Sequence, residues 1–271
     1  MLTILNSISS LNAESALSST QANLQKALTQ LSSGLKINSG SDDAAGLSIA
    51  NGLQANIAAL TQSSANASNG IGALQTADGA MSQVTSLLNR AVTLATEASN
   101  GGLSTAQSGA LDTEYQSILK EITTISGTTN FNGTAVFGST PSVYETDGTS
   151  GGSKTLASSS ITAVDATTLS LSGNLLGSAS AISELTNITK AISTVAADRG
   201  AVGAAVNQLT ASQSVEETEV TNLTSASNNI ENADIGKTVA NMTQYNVLQQ
   251  TGMAALSQSN QAQQSVLKLL Q

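Results

Sequence analysis

"LSSGLKINSGSDDAAGLSIANGL", Leu31 to Leu53, lies between two runs of regularly spaced apolar residues. Before it, Leu24, Leu28, Leu31 and Leu35 recur at helical spacing, with Ile4, Ile8 and Leu11 further upstream. After it, a three-then-four spacing runs through Leu53, Ile57, Leu60, Ser64, Ala67, Ile71, Leu74, Asp78, Met81, Thr85, Leu88, Val92 and Ala95. That spacing is a heptad seam longer than an ordinary globular helix. The stretch therefore reads as a connector between two helices. Its centre gathers Ser39, Gly40, Ser41, Asp42 and Asp43. Adjacent carboxylates can serve an active site, a metal site or a helix start. The first two need a partner acid, base or ligand nearby, and the local sequence offers none. As a helix start, Ser39 or Ser41 caps the next helix, and Asp42 and Asp43 fall in its first turn, where negative charge complements the helix dipole.

A second long seam reads Leu185, Ile188, Ile192, Val195, Arg199, Val202, Val206, Leu209, Gln213, Glu216, Val220, Leu223, Ser227 and Ile230. Between the two, Ser108 to Ser126 is a further helical segment, with Leu111, Tyr115, Ile118, Ile122 and Ile125 on one face. The C-terminal series Val239, Met242, Asn246, Gln249, Met253, Leu256, Asn260, Gln263, Leu267 and Leu270 alternates apolar pairs with amide pairs. From Thr238 onward the only charged side chain is Lys268. A solvated coiled coil normally carries charge beside its seam, so this end suits packing against copies of itself.

Composition narrows the function classes. Only three Tyr and two Phe are present, with no Trp, so the apolar content suits narrow helix seams better than a broad globular core. Cysteine and histidine are both absent, which removes disulfides, thiol nucleophiles, the usual zinc ligands and His-based acid/base catalysis. No catalytic, cofactor-binding or metal residue is expected, and no cofactor. With 18 acids against nine bases the chain lacks the basic footprint of a nucleic-acid binder. No window approaches the roughly 18 apolar residues of a membrane span. The N-terminus has neither a basic leader region nor a continuous apolar core, so no conventional cleavable signal is read there.

The middle differs in kind. From Asn132 to about Ser183 the chain turns to Gly, Ser, Thr and Val and holds the single proline, Pro141. Asp147-Gly148 is a hairpin-type turn signal, and Ile161 to Ser172 reads as a short strand. The expected fold is mainly α: a long helical coiled-coil rod with paired terminal helices and a small β-hairpin region at mid-chain. Glycines at 46, 52, 70, 72 and 79 each cost about 1 kcal/mol of helix propensity relative to Ala, so packing must supply the helices' stability.

Three segments resemble bacterial flagellin, the subunit of the flagellar filament. The opening stretch is similar to that family's N-terminal signature, L-S-S-G-x-[KR]-I-N-x-x-x-D-D-A-A-G-L-x-I-A. "TTNFNGTAVF", Thr128 to Phe137, resembles its T-x-F-N-G motif. "NNIENADIGKTVANMTQYNVLQQTGMAALSQSNQAQQSVLKLL" resembles its C-terminal signature. Asn229, Asn232 and Gly236 depart from the residues usual there, which bears on the family's salt bridges near the C-terminal connector.

The resemblance implies a structural subunit, not an enzyme, that self-polymerises into an extracellular filament used for motility. It implies an inner terminal-helix domain (1–38 and 235–271), an outer helical bundle (39–131 and 184–234) and a β-hairpin tip (132–183) without a large variable insert. Leu24, Leu28, Leu31, Leu35, Met253, Leu256, Leu267 and Leu270 would serve inner-tube assembly. Export through the flagellar type III apparatus, an export chaperone, and cap and hook-associated partners follow by the same resemblance; nucleic acid and membrane do not. Arg90, Leu94 and Glu114 match the surface recognised by the Toll-like flagellin receptor. Leu267, Leu269 and Leu270 match the leucines sensed by cytosolic immune receptors. Three rival readings make different demands on the sequence. A type III tip or translocator protein requires a membrane-inserting stretch, an enzyme requires a nucleophile–base pair or phosphate loop, and a hook-associated junction protein shares the terminal seams.

Overall fold

The computed structural model describes residues 8–138, 142–146, 153–157 and 162–269. Along these residues the chain forms α1 (Ile8–Ser33), α2 (Ala44–Ala98), α3 (Thr105–Thr128), β1 (Asn130–Phe131), β2 (Thr134–Ala135), β3 (Ser142–Thr146), β4 (Ser153–Ala157), α4 (Ser178–Glu231) and α5 (Ile235–Leu269). The fold is mainly α, with two small antiparallel strand pairs, β1 with β2 and β3 with β4. Asp147-Gly148, expected as a turn, lies outside the described residues.

Two compact units result: one holds residues up to Ala55 and from Asn222 onward, the other Asn56–Thr221. In the second unit α2 and α4 run antiparallel, tied by Ser63 to Glu216, Gln213 to Ser68 and Arg199 to Asp78. The core follows a strict heptad along α2. Leu60, Ala67, Leu74, Met81, Leu88 and Ala95 form one half, and Ser63, Gly70, Ala77, Val84, Ala91 and Ala98 the other, all buried. The first half is the expected one. The second lies one residue earlier than expected; at Gly70 and Ala91 the smaller neighbour, not the more apolar one, occupies the closest approach. Ile71 and Val92 are pushed to the flank, half-buried against the core. α4 repeats the offset: Ile188, Val195, Val202 and Leu209 are buried as expected, but Glu184 and Ala191 are buried while Leu185 and Ile192 are flanking.

α3 starts at a capping box, in which the Ser104 hydroxyl accepts from the Gln107 N–H and the Gln107 side chain accepts from the Ser104 N–H. It buries Tyr115, Ile118, Leu119 and Ile122, leaving Leu111 and Ile125 half-buried. The Tyr115 hydroxyl donates to Glu184 Oε1 at 2.5 Å. Burial foremost, and then this carboxylate, push the Tyr115 pKa far above the usual phenol value.

The strand expected over 161–172 does not form; Ile161 is outside the described residues, and 162–177 is irregular with turns. Asp165 accepts from the Thr168 N–H at 2.8 Å, the Leu169 N–H returns to the Asp165 carbonyl, and Ser170 takes φ 57°. A side chain that captures nearby backbone donors outcompetes a ladder. Val164, Leu169, Leu171 and Leu175 still enter the core, which accounts for their strand-like apolarity.

Two glycines in α2 test the close-approach argument. A Cβ at Gly70 would collide with the Val143 side chain of β3, whereas a Cβ at Gly79 meets nothing within 4 Å. Gly79→Ala should stabilise the monomer by about 0.5–1 kcal/mol through helix propensity, and Gly70→Ala should destabilise it despite the same gain. Urea unfolding followed by far-UV circular dichroism separates the two signs.

Candidate assembly surface and its connector

The first unit is built from α1, α5 and the connectors next to them. Its helices are antiparallel: Ser10 and Ser259 hydroxyls meet at 3.0 Å, and Leu17 lies against Gly252. Further along, the connectors form a small clasp. Gly34, at φ 74°, ends α1 in the left-handed conformation that spares glycine the Cβ penalty. Lys36 N–H then donates to the Glu231 carbonyl at 2.6 Å, Ala233 N–H to the Gly34 carbonyl at 2.9 Å, and Leu35 bridges Asn232. Glu231 also accepts from Gln54 and Ser227. Backbone bonds therefore hold the junction between the two connectors.

The expected roles of the paired carboxylates need correction. Neither Ser39 nor Ser41 caps α2, and neither Asp lies in its first turn. Asp43, directly before Ala44, is the cap, and its Oδ1 accepts from the Gly46 N–H at 2.9 Å. A Cβ on Gly46 would stand 2.6 Å from Asp43 Oδ2 and 2.8 Å from Ile37 Cδ1, so glycine makes room for the cap. Asp42 turns back into the loop instead. Its Oδ2 accepts from the Asn38 and Ser39 N–H groups, both at 3.1 Å, and from the Ser39 hydroxyl, while Oδ1 pairs with Lys26 Nζ at 2.8 Å. Ser41 bonds Ser39 and braces the same cluster. Asp234 repeats the capping role for α5, accepting from Lys237 N–H at 3.0 Å. The signal for both caps is the Asp immediately preceding the helical run, at Asp43-Ala44 and Asp234-Ile235.

The expected assembly residues separate into two groups. Leu24, Leu31, Leu35 and Leu256 are half-buried, with Ala27 and Thr238 fully buried beside them. Leu28 and Met253 are 47% and 51% exposed. The one-residue offset explains the split: Ala27 and Gly252 occupy the contact, and the larger Leu28 and Met253 stand outside it. Leu11, Val239, Val247 and Leu248 are exposed too. The side chains of Leu267 and Leu269, and all of Leu270, lie outside the described residues.

In the second unit Arg90 and Glu114 form an exposed ion pair at 2.7 Å. Leu94, expected on the same surface, is 1% exposed and belongs to the core. Among the described residues no group of His, Cys, Asp and Glu could hold a metal ion, and no helix is long and apolar enough to cross a membrane.

The Lys26 ammonium foremost, then the Asn38 N–H, hold the Asp42 carboxyl at about 2, below its ordinary 3.8. A depressed folded pKa contributes stability that is present above the unfolded value and lost as pH falls through the folded one. The loop's contribution should therefore decline between about pH 4 and pH 2, and Asp42→Asn should flatten that part of an acid titration of stability. Asp43→Ala should cost about 1 kcal/mol, whereas Asp43→Asn, which keeps a capping oxygen, should stay within a few tenths; denaturant midpoints decide.

Comparison with known proteins gives matches along most of the chain. The family model described as the bacterial flagellin N-terminal helical region matches residues 4–141, and that described as the bacterial flagellin C-terminal helical region matches 185–270. The flagellin of Halalkalibacterium halodurans is 35% identical over 253 residues, covering 91% of each chain. The flagellin of Listeria innocua is 30% identical over 285 residues, covering 97% of each. A crystal structure of Bacillus cereus flagellin aligns with TM-score 0.48 and 29% identity over 56% of this chain and 88% of that one.

Proposed function

Since the chain belongs to the bacterial flagellin family, a structural family of flagellar filament subunits, we propose that it polymerises with copies of itself through the uncovered faces of α1 and α5. The observation that carries this reading is the set of exposed apolar side chains left after those two helices have packed on each other: Leu11, Leu28, Val239, Val247, Leu248 and Met253. Along α5 they stand in a nearly uncharged stretch, Lys268 being the only charge after Lys237. Burying one such side chain against a neighbouring subunit contributes about 1.5–3 kcal/mol, so several together offset the association entropy. In this reading the subunit is a component of the motile flagellum and is secreted through the flagellar type III export apparatus. Its chaperone covers α5 before assembly, and cap and hook-associated proteins are its other partners. The domains are the inner terminal-helix pair (1–38 with 235–271), the outer bundle (39–131 with 184–234) and the tip (132–183). An immune receptor reading the outer helices would meet the Arg90–Glu114 pair, with Leu94 acting beneath it through packing.

The test is seeded growth of the purified chain, watched by electron microscopy. Long uniform filaments are expected. Leu28→Ser combined with Val247→Ser should slow growth by on the order of a hundredfold or more, from the apolar burial lost, while monomer circular dichroism is unchanged. Growth that stops at short stubs, or filaments unaffected by these substitutions, would exclude this surface as the polymerising one.

A further inference from the structure

The chain contains four Asn-Gly pairs, at Asn51, Asn69, Asn100 and Asn132, and the fold places them in three different environments. We infer that Asn100 is a site of spontaneous deamidation, converting to aspartate and isoaspartate, and that the other three are protected. Glycine lacks the Cβ that would shield its own nitrogen, so the backbone N of an Asn-Gly pair is the least hindered nucleophile for the preceding side-chain carbonyl. Reaction then depends on whether that nitrogen is free and whether the side chain can lie over it.

Asn51 and Asn69 sit inside α2. There the Gly52 and Gly70 N–H groups belong to the i→i−4 ladder, and attack requires the helix to open first. Asn132 is held at φ 49° with Gly133 at φ 78°, in a two-residue turn whose register is pinned by Phe131 opposite Thr134 and Asn130 opposite Ala135. Cyclisation there would have to reorganise a turn held by strand pairing. Asn100 has none of these restraints. It follows the end of α2 in an exposed loop, its own N–H donating to the Glu97 carbonyl at 3.1 Å. Its Oδ1 accepts from the Gly102 N–H at 3.4 Å. Such an Asx-type contact folds the side chain back along the following peptide and polarises the carbonyl that must be attacked.

The step balances without a cofactor. The Gly101 nitrogen loses its proton to solvent base and bonds Asn100 Cγ; the Cγ–Nδ2 bond breaks and ammonia leaves. Water then adds to either carbonyl of the resulting succinimide and opens it to aspartate or isoaspartate. The product places a new negative charge just past the C-terminus of α2, whose last turn has no basic residue. A carboxylate there is disfavoured by the helix dipole.

Incubating the folded full-length chain in mildly alkaline buffer, with peptide mapping by mass spectrometry and an isoaspartate assay, tests the assignment. Conversion at Asn100 should exceed that at Asn51 and Asn69 by on the order of tenfold or more, the cost of opening α2, and should also exceed that at Asn132. In strong denaturant the four rates should converge. Gly101→Ala should suppress the Asn100 reaction without disturbing the fold, since a Cβ at Gly101 meets nothing within 4 Å. Equal rates in the folded chain, faster conversion at Asn132 or within α2, or an undiminished reaction in Gly101→Ala would each overturn it.

Discussion

The constraint on which the architecture depends is how closely two helices can approach. At many positions along the seams the contact is made by a small residue. In α2 these are Ser63, Gly70, Ala77, Ala91 and Ala98; in α4, Ala191; in α1, Ala27; in α5, Thr238, Gly252 and Ser259. A chain with five aromatic residues cannot fill wide gaps between helices. Close approach replaces bulk, since dispersion contacts fall off within a fraction of an ångström of separation. Larger residues such as Leu60, Leu74, Met81 and Leu88 fill the alternate layers.

Narrow seams of repeated small residues are poor at defining register, because a slip by one heptad presents a similar surface. Buried polar groups supply the missing distinction. Ser63 donates to Glu216 Oε1 at 2.6 Å and accepts from the Thr146 N–H at 3.0 Å, so one hydroxyl joins α2, α4 and β3. Glu184, 3% exposed, takes bonds from Tyr115, the Gly173 N–H and Asn187. Displacing either carboxylate leaves its oxygen buried without these donors, a penalty of about 1–3 kcal/mol or more for a charged group. These contacts make the helix alignment unique at points where apolar packing alone would tolerate alternatives.

Periodicity made the helices, their heptads and the mid-chain change of character legible in the sequence, and the connector motif placed the break between α1 and α2. Each seam was half right. Ranking residues by apolarity selects Ile71 over Gly70, Leu28 over Ala27 and Met253 over Gly252, whereas packing distance selects the reverse. The same limit hid the roles of the paired carboxylates. Ser39, Ser41, Asp42 and Asp43 all have capping side chains, and only the fold brings Lys26 to Asp42 and leaves Asp43 to the helix. Glu184 was missed as a core residue because its donor, Tyr115, lies far away in the chain, whereas Glu216 stood on the expected seam. Asp165 concealed a turn within a strand-like apolar run.

The offset between the small residue that packs and the large one beside it has different consequences in the two units. In the second unit Ile71, Val92, Ile192 and Val206 are displaced to the flanks and still pack against the core. The first unit holds α1 and α5 as a pair, and the residues displaced there, Leu28, Val239 and Met253, remain exposed. A two-helix contact made through Ala27, Thr238, Gly252 and Ser259 buries little apolar surface, so the pair is weakly stabilised by itself. The property that weakens the isolated pair is the one that leaves apolar side chains available to another chain. Packing more tightly within the subunit would require larger residues at the seam and fewer beside it, and the surface suited to assembly would disappear with them.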